Sequence, residues 1–253
     1  MADRRAEPWY ATAAYLYVLH LDELALAWEY LRRHPDYRLD WLRRRDHSKA
    51  AQRWGLRLLE SPDLDARDAH PAWLPGHAAV VQLHPDADPS WSANVFAFWS
   101  IPGHKQLMHD GKSLALIARS SGRCLRFALA PGLDDGMAVV CAHRGGAAPS
   151  IPRRELGPVL GIVKPRPAPA ALLELHTLQA LDAILAGASF REAAEGVYGA
   201  DAVAMGWHAD GELRARVRRL VRRGQNLMRG GYRRLAQLPP LKQGRSAGGA
   251  KRP

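Results

Sequence analysis

GELRARVRRLVRRGQNLMRGGYRRL, residues 211–235, decides how the rest of the chain is read. It holds nine arginines and one acid, Glu212. Its apolar residues Leu213, Val217, Leu220, Val221, Leu227 and Met228 are three, four and seven apart, which puts them on one face of a helix of 3.6 residues per turn. Arg214, Arg218 and Arg222 form one row beside that face, and Arg216, Arg219 and Arg223 form a second. The spacing predicts a helix that packs on a small core and presents a dense cationic surface. Arginine carries that charge rather than lysine, and its planar fork suits phosphate oxygens and guanine edges. A solvated basic face on an ordinary core helix has the same composition, so the weight falls on what precedes it.

Residues 171–187, ALLELHTLQALDAILAG, read as an amphipathic helix closed by Gly187. Ser189-Phe190-Arg191-Glu192 has the form of a capping box, in which Ser189 and Glu192 satisfy each other's backbone donors. It opens a short helix, FREAAEGVYG, ended by Gly199; a loop with Trp207 follows, and Asp210 stands where it would cap the basic helix. Three helices in this order match a helix-turn-helix unit, whose third helix enters the major groove while the second crosses the backbone. The roles follow from that placement. Ser189 and Arg191 meet phosphates at the start of the second helix. Arg214, Arg216 and Arg218 are the candidates for base edges, and Arg219 is counted with them as a DNA-binding residue. Arg222, Arg223 and Arg229 meet the backbone further along. Gly230 and Gly231 end the helix, and Tyr232 and Leu235 fold back on the core. The connection before the third helix is longer than the usual tight turn.

The remaining composition fits this reading. The 253 residues carry a net charge of +11, a pI near 10.2 and 47% hydrophobic residues, which is enough for a real core and favours polyanionic partners. There is no apolar run long enough to span a bilayer and no apolar signal-peptide core in MADRRAEPWY, so the expected location is the cytoplasm, at the nucleoid. Residues 9–60 read as helical with a break at Pro35, and residues 63–90 as loop around one strand at AAVVQL. VFAFWS, SLALIARS, CLRFALA and MAVVCAH read as short antiparallel strands, with tight turns at HDGK and DDGM. The eight tryptophans, spread along the chain, read as core anchors. Cys124 and Cys141 read as reduced and buried, with no zinc pattern near them. His104 and His109 have no trustworthy metal spacing, Asp134-Asp135 reads as turn chemistry, and no nucleophile elbow or phosphate loop is present. No cofactor, metal or enzymatic activity is expected.

The fold expected is therefore α+β: an N-terminal helical segment with a small antiparallel sheet over 1–150, a proline-rich linker over 151–170, a three-helix helix-turn-helix domain over 171–238 and a disordered basic tail over 239–253. The C-terminal run resembles a proteobacterial helix-turn-helix variant, the DNA-binding domain of type VI secretion transcription factors, through Leu181-Asp182-Ala183, Gly187-Ala188-Ser189-Phe190-Arg191-Glu192, Trp207, Leu213-Arg214, Val217-Arg218-Arg219 and Gly230-Gly231-Tyr232. The N-terminal run resembles the transcriptional regulator-like domain commonly joined to it, through Trp28-Glu29-Tyr30-Leu31-Arg32-Arg33, Pro35-Asp36-Tyr37, Trp54-Gly55-Leu56 and Pro71-Ala72-Trp73. The resemblance implies a regulator of integrative and conjugative elements, with the two-domain arrangement of an activator of excision and transfer genes. Expected partners are double-stranded DNA and, through the N-terminal domain, RNA polymerase, another regulator or a second subunit. The alternative is a protein-interaction module whose basic helix docks an acidic protein. An RNA-binding or nuclease role lacks both a stacking platform and a carboxylate cluster.

Overall fold

Asp22 opens the first α-helix, and its carboxylate accepts the Ala25 N–H at 2.7 Å. That helix, α1, spans Glu23–Leu31 and follows a 3-10 helix at Thr12–His20. Pro35 breaks the helical run and starts the next one, α2 (Pro35–Arg43), where its missing N–H costs nothing. Helix α3 covers His47–Trp54. The structure is a computed structural model that describes residues 7–43, 47–74, 80–91, 93–109, 114–120, 123–142, 169–208 and 211–239. The expected proline-rich linker lies outside the described residues up to 168, its last two residues, 169 and 170, being the start of a helix, and all of the expected tail except Pro239 lies outside them as well.

Five strands follow: β1 (Val80–Pro85), β2 (His104–His109), β3 (Leu114–Ser120), β4 (Arg123–Leu129) and β5 (Val139–Ala142). They form one sheet in the order β2-β3-β4-β1-β5. The sheet is mixed rather than antiparallel throughout, because β1 pairs parallel with β4, Val80 opposite Arg126 and Leu83 opposite Leu129. VFAFWS is not a strand. Val95 makes a single bridge to Ala138, and Phe98–Ser100 is a 3-10 turn. The polar segment HKQLMH takes an edge position instead, as β2. An edge strand buries little, so it needs no apolar alternation. The DDGM turn forms as expected, with Met137 N–H donating to Asp134 O at 3.2 Å. The HDGK turn lies outside the described residues beyond His109.

Helix α4 (Pro169–Leu185) ends at Gly187, whose φ of +80° is the left-handed conformation that closes a helix. The capping box at Ser189 and Glu192 then starts α5 (Phe190–Tyr198), with both reciprocal bonds made, at 3.2 and 2.7 Å. The stretch read as a loop contains a further helix, α6 (Ala200–Gly206), which buries Val203. Helix α7 (Glu212–Asn226) carries the arginines; Gly211 stands at its N-cap, and Asp210 is outside the described residues. The helical path breaks at Gly230-Gly231 as expected: after a π turn at Leu227–Gly231, Gly230 takes a φ of +140°, and beyond this kink a separate short helix, α8 (Tyr232–Leu235), brings Tyr232 and Leu235 back onto the core. So the order is helices, sheet, helices, and the C-terminal unit has more than three.

The largest described core joins N-terminal and C-terminal helices. Trp28, Tyr30, Tyr37 and Trp54 pack there with Leu175, Leu178 and Leu181 of α4, Leu227 and Met228 of the π turn, and Tyr232. Trp28 meets Tyr37 edge-on with ring centroids 5.6 Å apart, and Tyr37 meets Trp54 in the same way at 5.7 Å. A second core under α7 is built from Ala193, Ala194 and Val197 of α5 and Val217, Leu220 and Val221 of α7, and it takes Trp9 from the N-terminal segment. The sheet has its own small core around Leu116, Phe127 and Leu129. It is tied to α1 by Arg126 of β4, which donates to Asp22 at 2.8 Å. Tryptophans 9, 28, 54 and 73 are core anchors as expected; Trp91 and Trp99 are exposed. Cys141 is free and half-buried, and burial raises its thiol pKa. The side chain of Cys124 is outside the described residues.

Candidate nucleic-acid interface

Helix α7 sits on α4 and α5 through its apolar face. Gly224 is the closest point: a Cβ there would meet the Cβ of Leu181 at 3.0 Å and the carbonyl of Thr177 at 3.3 Å. Packing this tight fixes the rotation of α7 about its own axis. With Val217, Leu220, Val221 and Gly224 buried, Arg216, Arg218, Arg219 and Arg222 are turned to solvent.

The nine predicted contact residues divide into groups. Arg218, Arg219 and Arg222 are exposed and make no ion pair or hydrogen bond among the described residues. Arg216 is exposed and donates to Glu212 one turn earlier at 2.5 Å. Both partners face water, so that pair costs little to exchange for another anion. Arg214 is half-buried. Ser189 and Arg191 lie at the start of α5; Ser189 is the N-cap, and Arg191 is 3.5 Å from Glu195. Arg216 and Arg219 approach the other end of α5, where their charges act on Tyr198. Burial is the larger influence there and raises the Tyr198 pKa. Arg229 is exposed beyond α7, in the π turn.

Arg223 is different. It donates to Glu174 of α4, whose other carboxylate oxygen accepts from the Tyr30 hydroxyl at 2.6 Å. Tyr30 is buried, and its pKa is raised by burial first and by Glu174 second. The chain Tyr30–Glu174–Arg223 thus joins α1, α4 and α7. Position 223 follows the helical row of exposed arginines, and nothing in the local sequence announces its acidic partner 49 residues away.

A second polar junction lies alongside. Arg33, at the end of α1, donates to both oxygens of Asp182 at 2.5 and 2.7 Å and to Glu29 at 2.6 Å. The Tyr15 hydroxyl adds a third bond to Asp182 at 2.8 Å. Burial works to raise the Asp182 and Glu29 pKa values, and the neighbouring guanidiniums outweigh it, so both carboxyls titrate below their usual range. Glu29 also accepts the Ala66 N–H at 2.7 Å. Gln179 of α4 completes the junction, donating to the carbonyls of Trp9, Tyr10 and Gly196. Asp182 and Glu29 belong to the stretches that carry the family resemblance. Their structural work is to hold the N-terminal helices on α4.

Comparison with known families agrees with the two-part arrangement. Residues 141–237 match the model of a T6SS transcription factor DNA-binding domain. Residues 8–58 match the proteobacterial transcriptional regulator-like domain, and residues 78–125 match a domain of unknown function. No curated protein matches the chain. The class these matches define is the DNA-binding transcriptional regulator: the chain joins a regulator-like segment to a segment similar to a DNA-binding domain. No described helix is long and apolar enough to cross a membrane, and no described cluster of His, Cys, Asp or Glu has the makings of a metal site.

Proposed function

We propose that this protein is a sequence-specific DNA-binding activator of the excision and transfer genes of a mobile element. One observation carries the reading: the apolar contacts that seat α7 leave Arg218, Arg219 and Arg222 exposed and without ion pairs among the described residues, within the stretch similar to a DNA-binding domain. Unpaired guanidiniums on a rigid helix have paid for no internal partner that DNA must displace. In this reading Arg214, Arg216 and Arg218, with Arg219, address base edges, while Arg222 and Arg229 address phosphates, as do Ser189 and Arg191 at the start of α5. Arg223 acts through Glu174, as a positioning residue for α7, and only the exposed part of its guanidinium is left for the DNA backbone. No bond of the DNA is broken. The N-terminal helices and the sheet supply the surface for RNA polymerase, another regulator or a second subunit.

The test is selection of binding sites from a pool of random duplexes by the full chain. An enriched motif whose recovery fails with Arg216→Ala/Arg218→Ala supports the reading. Recovery of duplexes without a shared motif supports the alternative, in which the basic helix docks an acidic protein and DNA is bound only by charge.

A further inference from the structure

A cleft of about 850 Å³ opens where the α1–α2 corner faces the end of α4 and the π turn. Arg32, His34 and Arg38 line it on one side, Leu185 on another, and Arg229 closes it from the π turn. Its acids are Asp36 and Asp182, and Asp182 is already saturated by Arg33 and Tyr15. Arg229 makes no ion pair or hydrogen bond among the described residues. Among the described residues Arg38 pairs only with the exposed Asp63, at 3.1 Å, a contact of the kind worth little in water. His34 Nδ1 accepts the Asp36 N–H at 3.1 Å, so the Nε2 position of the neutral ring is the donor. Burial first favours that neutral ring, and the charges of Arg53 and Arg229 add to it against the opposing carboxylates of Asp36 and Asp40.

We infer that this cleft binds the sugar-phosphate backbone of the duplex next to the segment addressed by α7, so that the regulator-like segment is itself part of the DNA interface. The inference rests on the DNA-binding reading above. Continuity supports it: Arg218 and Arg222 are one turn apart on the exposed side of α7, and Arg229 lies about two turns further on, at the mouth of the cleft. Chemistry supports it as well. The described lining sets four guanidiniums and the His34 imidazole against two carboxylates, beside Pro35, Leu185 and Met228 and with no Phe, Tyr or Trp to stack on, so its positive charge is what distinguishes it. Phosphate contacts of this kind position a protein and carry no sequence information.

The measurement is fluorescence anisotropy of the full-length protein with a random-sequence duplex across a salt series. Arg38→Ala/Arg229→Ala, and the isosteric check Arg38→Gln/Arg229→Gln, should make the dependence of log affinity on log salt less steep by about 0.9 for each arginine that meets a phosphate, and less steep than Arg229→Ala alone leaves it, since the reading above already places Arg229 on a phosphate. Helicity and melting temperature should stay at the parent value, since both side chains are exposed. A slope in this pair no different from that of Arg229→Ala alone, beside a reduced slope in Arg218→Ala/Arg222→Ala, overturns the cleft proposal and leaves the DNA reading standing. An unchanged slope in both pairs overturns the DNA reading and the cleft proposal together. Calorimetry with pyrophosphate is the second arm. Binding that Arg229→Ala abolishes, with the DNA slope unaffected, would assign the cleft to a small phosphate ligand and overturn the proposal.

Discussion

The arginines of Arg33 and of Arg218, Arg219 and Arg222 look alike in the sequence and have opposite lives in the fold. Arg33 has a side chain only 8% exposed, and its donors are consumed by two carboxylates. Arg218, Arg219 and Arg222 of α7 face solvent and make no ion pair or hydrogen bond among the described residues. The difference lies in what the opposing helix carries. Helix α4 places Asp182 against α1 and Glu174 against Arg223, and it places no acid over the outer face of α7. A guanidinium with an internal partner works for the fold; one without is kept for something outside.

This comparison is broken most severely at Asp182. Asp182→Ala strands the Arg33 guanidinium against Glu29 alone and should cost about 3–5 kcal/mol, read by chemical denaturation. Arg33→Met in the same background should recover part of the loss. A cost under about 1 kcal/mol would mean that the junction holds little. The same carboxylates set the pH response. Glu29 and Asp182 titrate lower in the folded state than in the unfolded chain. Their contribution is therefore complete above the unfolded values of about 4 and is lost as pH falls through the folded ones. Stability should drop on acidification below about pH 4, and Asp182→Asn should flatten that drop.

A smaller effect is expected at Gly224. Gly224→Ala pushes a methyl against Leu181 and should cost about 1–3 kcal/mol, with a loss of DNA affinity because α7 must shift outward. An unchanged melting temperature would show that α4 and α7 have room to spare. Smallest in stability are Arg218→Ala and Arg222→Ala, which should lie within about 0.5 kcal/mol of the parent. Their effect belongs to binding: about 1–3 kcal/mol for an arginine that meets a base edge, and a reduced salt slope for one that meets a phosphate. A substitution here that unfolds the protein would place these side chains with Arg33.

Periodicity was a sufficient guide wherever an element is amphipathic. The apolar positions of α7, the capping box at Ser189 and Glu192, the closing Gly187 and strands β1, β3, β4 and β5 could all be read from spacing and turn chemistry. The failures have physical causes. Strand β2 is polar because it is an edge. VFAFWS has strand-forming residues but is held by Phe98 N–H donating to the Asp135 carboxylate at 2.6 Å and by a single bridge at Val95. The parallel pairing of β1 with β4 depends on contacts far apart in the chain. In the candidate site, which arginines are exposed followed from the apolar face of α7. That Arg223 is paired, and that Arg32 and Arg38 come beside Arg229, depends on N-terminal helices docking on α4, which no local pattern records.

The central claim is that the exposed face of α7 reads a DNA sequence. Its most direct test is chromatin immunoprecipitation with sequencing in the native host, comparing the tagged protein with its Arg216→Ala/Arg218→Ala variant at equal expression. The account predicts a few sharp peaks upstream of mobile-element genes, lost in the variant. Diffuse or absent enrichment of the well-expressed parent, or peaks that the variant keeps, would contradict it.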